Sequence, residues 1–227
     1  MSDGWTQWVR KVEIEPSLYA ADFARLGEQV DALLGAGARI FHFDVGDGHF
    51  VEPVTVGPVV LRSIAGLVHE RGGVLDCHLM VENPERHIRQ FAEADADSVT
   101  VHFEVCENPA SVAALAREHG LAAGLAFNPD TAVGAAAAAA DGFDVVTCMS
   151  VQPGYSGQAF IPESLERVRA LRELVGADAH VQVDGGVGPD NAPDLVEAGA
   201  TLLVAASAIF GHEDLPRAYG DLARTVA

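Results

Sequence analysis

His42 and Asp44 stand two residues apart at the end of an apolar run, a spacing that in a β-strand puts an imidazole and a carboxylate on one face. Two further apolar runs end in the same kind of chemistry: 74–80 carries His78, and 180–186 carries Asp184. If these runs lie parallel in one sheet, His42, Asp44, His78 and Asp184 converge on a single point. A lone buried histidine is ordinarily a hydrogen-bonded core residue. Two imidazoles and two carboxylates closing three strands of one face are instead a donor set for a borderline divalent ion, and they accept Zn, Mn, Fe(II) or Co without choosing among them.

Glycine-rich turns follow the later runs. Pro153-Gly154-Tyr155-Ser156-Gly157-Gln158 comes after the sixth, Gly185-Gly186 after the seventh, and Ala206-Ser207-Ala208 after the eighth, at the start of what reads as a short helix. Glycine lets backbone N–H groups approach an anion closely, so three such loops side by side predict a phosphate cradle.

The elements that must position these groups are legible as an alternation. Runs rich in β-branched residues begin near Val12, Arg39, Val74, Ser98, Leu121, Val145, His180 and Leu202, and amphipathic stretches at 22–34, 84–94, 109–119, 162–174 and 191–198 lie between them. Several stretches open at Pro or after Asn or Asp and close at Gly35, Gly120, Gly176 or Gly199. The alanine run 135–140 falls where the fifth helix is due and reads as helix. Eight strand–helix units in 227 residues, with no Pro/Gly/Ser linker, predict a (β/α)8 TIM barrel. It is a single domain over 1–227 with its first strand from about residue 12; a doubly wound open sheet is the alternative. In such a barrel the active site lies at the C-terminal ends of the strands, where all four candidate ligands fall.

Thirty-three acidic residues against 14 basic ones give a formal charge of −19, which disfavours nucleic acid or an anionic membrane as partner. No apolar run reaches the roughly 18 residues of a membrane span. An anionic substrate must then be attracted by backbone N–H groups, helix N-termini or a metal. Cys77, Cys106 and Cys148 lie in or beside apolar runs, and no leader pattern of basic start, apolar stretch and cleavage site precedes them, which predicts a reducing cytoplasm without disulfides. The single lysine, Lys11, precedes the first strand and so sits on the rim opposite the site, leaving a Schiff-base mechanism without an amine.

From about Val12 to Gly211 the chain resembles the ribulose-phosphate 3-epimerase family. The resemblance rests on separated motifs in the family's order: Pro16-Ser17-Leu18 with Ala21-Asp22-Phe23, Asp47-Gly48-His49-Phe50-Val51, His78-Leu79-Met80-Val81, Met149-Ser150-Val151, Asp184-Gly185-Gly186-Val187 and Ser207-Ala208-Ile209-Phe210. It implies that His42, Asp44, His78 and Asp184 bind one divalent metal ion, that Asp44 and Asp184 are the acid–base pair, and that Ser17 contacts the substrate. With Ser17, the expected substrate contacts are His78, Met80, Met149, Gly154, Tyr155, Ser156, Gly157, Gly185, Gly186, Ala206 and Ser207. It also implies a small-molecule ketose phosphate as partner and a homo-oligomer, dimer or hexamer. The implied reaction has its own physical logic: inverting a carbon next to a ketone needs a base on one face of an enediolate and an acid on the other.

Departures from the family pattern bear on the substrate. Gly46 stands where a methionine is usual, Glu52-Pro53 replaces Pro-Asn, and Ser156 and Ala206 each replace a glycine. A missing thioether at Gly46 predicts extra space near the reacting carbons. The expected activity is therefore D-ribulose 5-phosphate to D-xylulose 5-phosphate, with 3-epimerisation of a hexulose or heptulose phosphate as the alternative. A metal-dependent aldolase and a non-catalytic phosphosugar-binding barrel stand further back. Asp47 and His49 are expected to hold their loop by hydrogen bonds, Asn128 and Gln152 are candidates for supporting bonds, and His102 is given no ligand role.

Overall fold

Alternation along each strand sorts the side chains into two cores. In the computed structural model, which describes residues 4–177 and 179–227, Phe41, Phe43 and Val45 of strand β2 (Ile40–Gly46) pack outward among helix residues such as Leu33, Ile64 and Val68. The intervening His42 and Asp44 face inward. The other strands are β1 (Glu13–Pro16), β3 (Val74–Met80), β4 (Ser98–His102), β5 (Ala122–Phe127), β6 (Val145–Met149), β7 (His180–Asp184) and β8 (Leu202–Ala205). All pair in parallel in the order β1-β8-β7-β6-β5-β4-β3-β2, and a parallel bridge from Ser17 to His42 brings the end of β1 onto β2 and closes the circuit. Every strand begins within one residue of its expected start. The fold is a (β/α)8 barrel in one domain.

The α-helices among the described residues are α1 (Gly4–Trp8), α2 (Leu26–Gly35), α3 (Pro58–Glu70), α4 (Ile88–Ala92), α5 (Pro109–Glu118), α6 (Val133–Ala138), α7 (Ser164–Val175), α8 (Ala192–Glu197), α9 (Ser207–Phe210) and α10 (Leu215–Thr225). Two expected helices are broken. The stretch 22–34 opens with a separate 3-10 turn, Phe23–Arg25, capped by the Asp22 carboxylate accepting from the Ala24 N–H at 3.0 Å, before α2 begins. The stretch 84–94 opens with another, Pro84–Arg86, set by Asn83 in the left-handed region at φ 51°, and only then continues as α4. The alanine run forms α6 but stops at Ala138, short of its last two alanines.

The barrel interior is layered. At the bottom, Ile40, Val74, Ala122, Val145 and Leu202, near the starts of five strands, pack against Trp5 and Val9, so that α1 plugs the barrel floor. Residues 1–3 lie outside the described residues. Lys11 lies between α1 and β1, on this lower rim. Above the plug comes a fully buried polar layer of Glu15, Asp76, Ser98, Thr147 and Gln182, with His42 between it and the open end. Space is tight here: a Cβ at Gly124 would lie 2.2 Å from Thr100 Oγ1, so only glycine fits opposite that threonine. The three cysteines are free thiols, and among the described residues no helix is long and apolar enough to cross a membrane.

Because Trp5 is the largest apolar group closing the floor, Trp5→Ala should cost about 3 kcal/mol. A urea melt checks this, with the midpoint falling and the slope unchanged.

Candidate functional site

The period of two that put His42 and Asp44 on one face carries them to the centre of the open end of the barrel. Asp44 pairs in register with His78 across β2 and β3, and Asp184 ends β7 beside Met149. Ser150 pins that last position, its hydroxyl donating to the Asp184 carbonyl at 3.0 Å and to the Gly185 carbonyl at 2.6 Å. The expected convergence is met. His42 Nε2 is 3.2 Å from Asp44 Oδ1, 3.3 Å from His78 Nδ1 and 3.8 Å from Asp184 Oδ2. His78 Nδ1 is 3.1 Å from Asp44 Oδ1 and 3.3 Å from Asp184 Oδ2. One donor atom from each of the four lies within 4.8 Å of the others.

Such a set needs positive charge at its centre. Burial opposes ionisation of His42, yet Asp44, Asp76 and Glu15 beside it outweigh burial and hold its pKa well above the usual histidine value. For His78 burial likewise opposes, and Asp184 and Asp44 raise its pKa. Asp44, despite burial, is drawn well below the ordinary carboxylate range by the two imidazoles. Two imidazole nitrogens and two carboxylates are ordinary ligands for a divalent ion such as Zn, Mn, Fe(II) or Co, which would bring that charge to the centre.

Below the four lies a support that the sequence reading missed. His42 Nδ1 points away from the centre, 3.0 Å from Asp76 Oδ2 and 3.6 Å from Glu15 Oε2. Asp76 accepts from Ser98 Oγ at 2.6 Å and Gln182 Nε2 at 2.9 Å; Gln182 also donates to Glu15 Oε2 at 2.8 Å and its carbonyl accepts from Thr147 Oγ1 at 2.6 Å. Burial works to raise the pKa of Asp76, but these bonds and His42 bring it below the usual value. Glu15 has fewer partners, and burial pushes it up to about 7. The signal was present: Glu15, Asp76 and Gln182 each sit two residues before Ser17, His78 and Asp184, one step down the same strand face. His102, passed over as a ligand, is fully buried against His78.

Above the four opens a pocket whose lining contains every expected substrate contact except His78, which lies fully buried beneath its floor. Ser17, Met80, Met149, Gly154, Tyr155, Ser156, Gly157, Gly185, Gly186, Ala206 and Ser207 form its walls together with Tyr19, Val151, Gln158 and Val187. Ser17 donates to Asp44 Oδ2 at 2.6 Å, orienting that carboxylate. No lysine, arginine or histidine is among the lining residues, so an anion here meets backbone N–H groups and hydroxyls. Gly185 and Gly186 are required by close approach as well as by positive φ: a Cβ on the first would come 2.4 Å from Val151 Cγ2, and on the second 2.6 Å from Phe160 N. Among the described residues the positive-φ positions outside glycine are Asn83 and Asp95, so Ser156 and Ala206 replace glycine without backbone strain.

Gly46 corrects an expectation. A Cβ there would lie 2.6 Å from the Pro53 carbonyl oxygen and 2.9 Å from Val51 Cγ2, and Gly46 does not line the pocket. Its N–H donates to Thr55 Oγ1 at 2.7 Å and its carbonyl accepts from Thr55 N at 3.1 Å. The β2–α3 loop has folded down into the room a methionine would take, so no extra space opens toward the substrate. Glu52 from this same loop accepts from Tyr155 Oη at 3.0 Å and ties it to the β6–α7 loop across the pocket mouth. Asp47 holds the loop as expected, accepting from His49 N, Phe50 N and Glu82 N at 2.8, 2.9 and 2.7 Å.

A family model described as the ribulose-phosphate 3 epimerase family matches residues 13–210. The ribulose-phosphate 3-epimerase of Serratia marcescens is 41% identical over 209 residues, covering 91% of this chain and 99% of that protein. That of Bacillus subtilis is 38% identical over 215 residues, covering 93% and 98%. The barrel is also similar to a solved 3-hexulose-6-phosphate synthase from Salmonella typhimurium, with a TM-score of 0.71 at 14% identity over 95% and 98% of the two chains, a likeness of fold alone.

Filling the Gly46 position must displace the Pro53 carbonyl. Gly46→Ala is expected to cost about 1–3 kcal/mol in a urea melt.

Proposed function

The chain belongs to the ribulose-phosphate 3-epimerase family, and from that premise we propose how its site interconverts D-ribulose 5-phosphate and D-xylulose 5-phosphate. The observation that carries the proposal is the meeting of Asp44 from β2 and Asp184 from β7 at the floor of the pocket, with His42 and His78 between them. The substrate phosphate rests on the backbone N–H groups of the Gly154–Gly157 turn, Gly185, Gly186 and Ser207, and this places the sugar chain over the two carboxylates. One carboxylate removes the C3 proton from one face; the other, entering as the acid, returns a proton to the opposite face, and the roles exchange in reverse. Ser17 keeps Asp44 turned toward the sugar by its 2.6 Å hydrogen bond. Met80, Met149 and Val151 present apolar walls that limit water at the planar enediolate between the two proton transfers.

His42, Asp44, His78 and Asp184 would hold a divalent ion, Zn, Mn, Fe(II) or Co, which would supply positive charge for the enediolate. The pentose phosphate is favoured over a hexulose or heptulose phosphate because the room assigned to Gly46 is taken by the β2–α3 loop. A Schiff-base aldolase has no amine within reach, Lys11 being on the lower rim. Cytoplasmic residence and a dimer or hexamer, readable by sedimentation equilibrium, belong to the same proposal on the strength of the family.

Proton NMR in D2O with metal-reconstituted protein and D-ribulose 5-phosphate tests the mechanism: C3 should exchange while the D-xylulose 5-phosphate signals grow. Asp44→Asn and Asp184→Asn should each slow epimerisation by about 10²–10⁴-fold. Near-normal turnover in either variant would remove the two-carboxylate mechanism. Exhaustive chelation should abolish turnover, and re-added Zn, Mn or Co should restore it.

A further inference from the structure

The geometry points to His102 and Glu104 as positioning residues for His78: together they decide which nitrogen of His78 is left bare toward the metal centre. The inference rests on the four-residue centre proposed above. The His102 ring is fully buried and lies end to end with that of His78, with centroids 5.0 Å apart and planes 17° from parallel, and the two Nε2 atoms are 2.9 Å apart. A hydrogen bond between two imidazole nitrogens needs one donor and one acceptor. Its direction is decided at the far side of His102, where Nδ1 faces Glu104 Oε2 at 3.3 Å. A carboxylate only accepts, so the His102 hydrogen is on Nδ1 and its Nε2 is the acceptor. His78 must then carry its hydrogen on Nε2. In the neutral, metal-binding form of His78 its Nδ1 is left with a lone pair, aimed between Asp44 and Asp184.

Glu104 is itself fixed from outside the barrel. Its Oε1 accepts from the Asn128 N–H at 2.8 Å and from the Thr131 hydroxyl, so the other oxygen is the one presented to His102. Phe50 from the β2–α3 loop covers His102, its ring centroid 4.7 Å away. Both nitrogens of His102 are engaged, which removes it as a metal ligand and leaves it as a link. His42 receives the matching service from below, where Asp76 takes its Nδ1 hydrogen. The two histidines therefore present opposite nitrogens to the centre, Nε2 from His42 and Nδ1 from His78, each set by a carboxylate, Asp76 directly for His42 and Glu104 through His102 for His78.

Glu104→Gln tests the chain sharply. With its carbonyl oxygen taken by Asn128 and Thr131, the new amide offers NH2 to His102 Nδ1, and every hydrogen in the chain reverses, leaving His78 protonated on the nitrogen that faces the metal. The zinc dissociation constant of the metal-free protein, measured by competition with a chromophoric chelator at constant pH, should rise 10–100-fold in Glu104→Gln and in His102→Phe, which keeps an aromatic ring there but cannot accept a hydrogen bond. Thr131→Val removes one bond to Glu104 without altering the direction of the chain and should stay within about threefold of wild type. Thermal melts of the metal-free variants establish that each is folded. Folded Glu104→Gln and His102→Phe with wild-type zinc affinity would overturn the proposal, as would an equal loss in Thr131→Val, which would mean that only the loop matters. Failure of the wild-type protein to bind zinc at this site would instead overturn the metal centre itself.

Discussion

The rest of the structure is arranged around one electrostatic demand, the need to hold two carboxylates and two imidazoles within 4.8 Å of one another inside a protein. At about 4 Å a pair of like charges costs on the order of 4 kcal/mol even at an effective dielectric of about 20. A cation at the centre turns that cost into attraction, and the surroundings are built for it. Each histidine is turned so that its outward nitrogen is satisfied by a carboxylate-terminated chain, and Asp44 is held by Ser17. Site and barrel interior are one hydrogen-bonded unit, because the groups that would otherwise be orphaned in the polar layer are the ones that orient the four converging side chains.

That unit also explains how the barrel can be stable with so little apolar filling above its floor. The hydrophobic work is done elsewhere, in the outer annulus between strands and helices and in the floor plug that includes Trp5. The inner face is thereby free to carry Glu15, Asp76, Ser98, Thr147 and Gln182, whose mutual bonds replace the water they lose. Glu15 is the least well served of them. Its Oε1 has no hydrogen-bond partner, and burial without enough donors pushes its pKa to about 7.

Strand starts, the barrel and the convergence of His42, Asp44, His78 and Asp184 were legible because a period of two is local: it needs only the strand and its end. Asp76 and Gln182 obey the same period, yet they lie one step deeper, where polar residues are usually read as strand filler. His102 could not be assigned from sequence at all, since its meaning depends on a ring from the neighbouring strand and a carboxylate two residues on. Gly46 failed for the opposite reason. A missing side chain reads as vacancy, but a chain fills vacancies, and the Val51–Thr55 stretch moved in. The splitting of the 22–34 and 84–94 helices was likewise invisible to periodicity, because it is decided by the dihedrals of single residues such as Asn83.

No cationic side chain lines the pocket, in a chain whose formal charge is −19. Such a molecule does not draw a phosphate in from a distance; its outer field pushes the dianion away until background salt, with a screening length of about 8 Å in the cell, hides the charge. Encounter is therefore slower in dilute buffer than in a crowded ionic medium, the reverse of an enzyme with a basic funnel. The compensation comes on departure. With no ion pair to break, a product of nearly the same shape and charge as the substrate leaves as easily as the substrate arrived, which suits a reaction that must run in both directions.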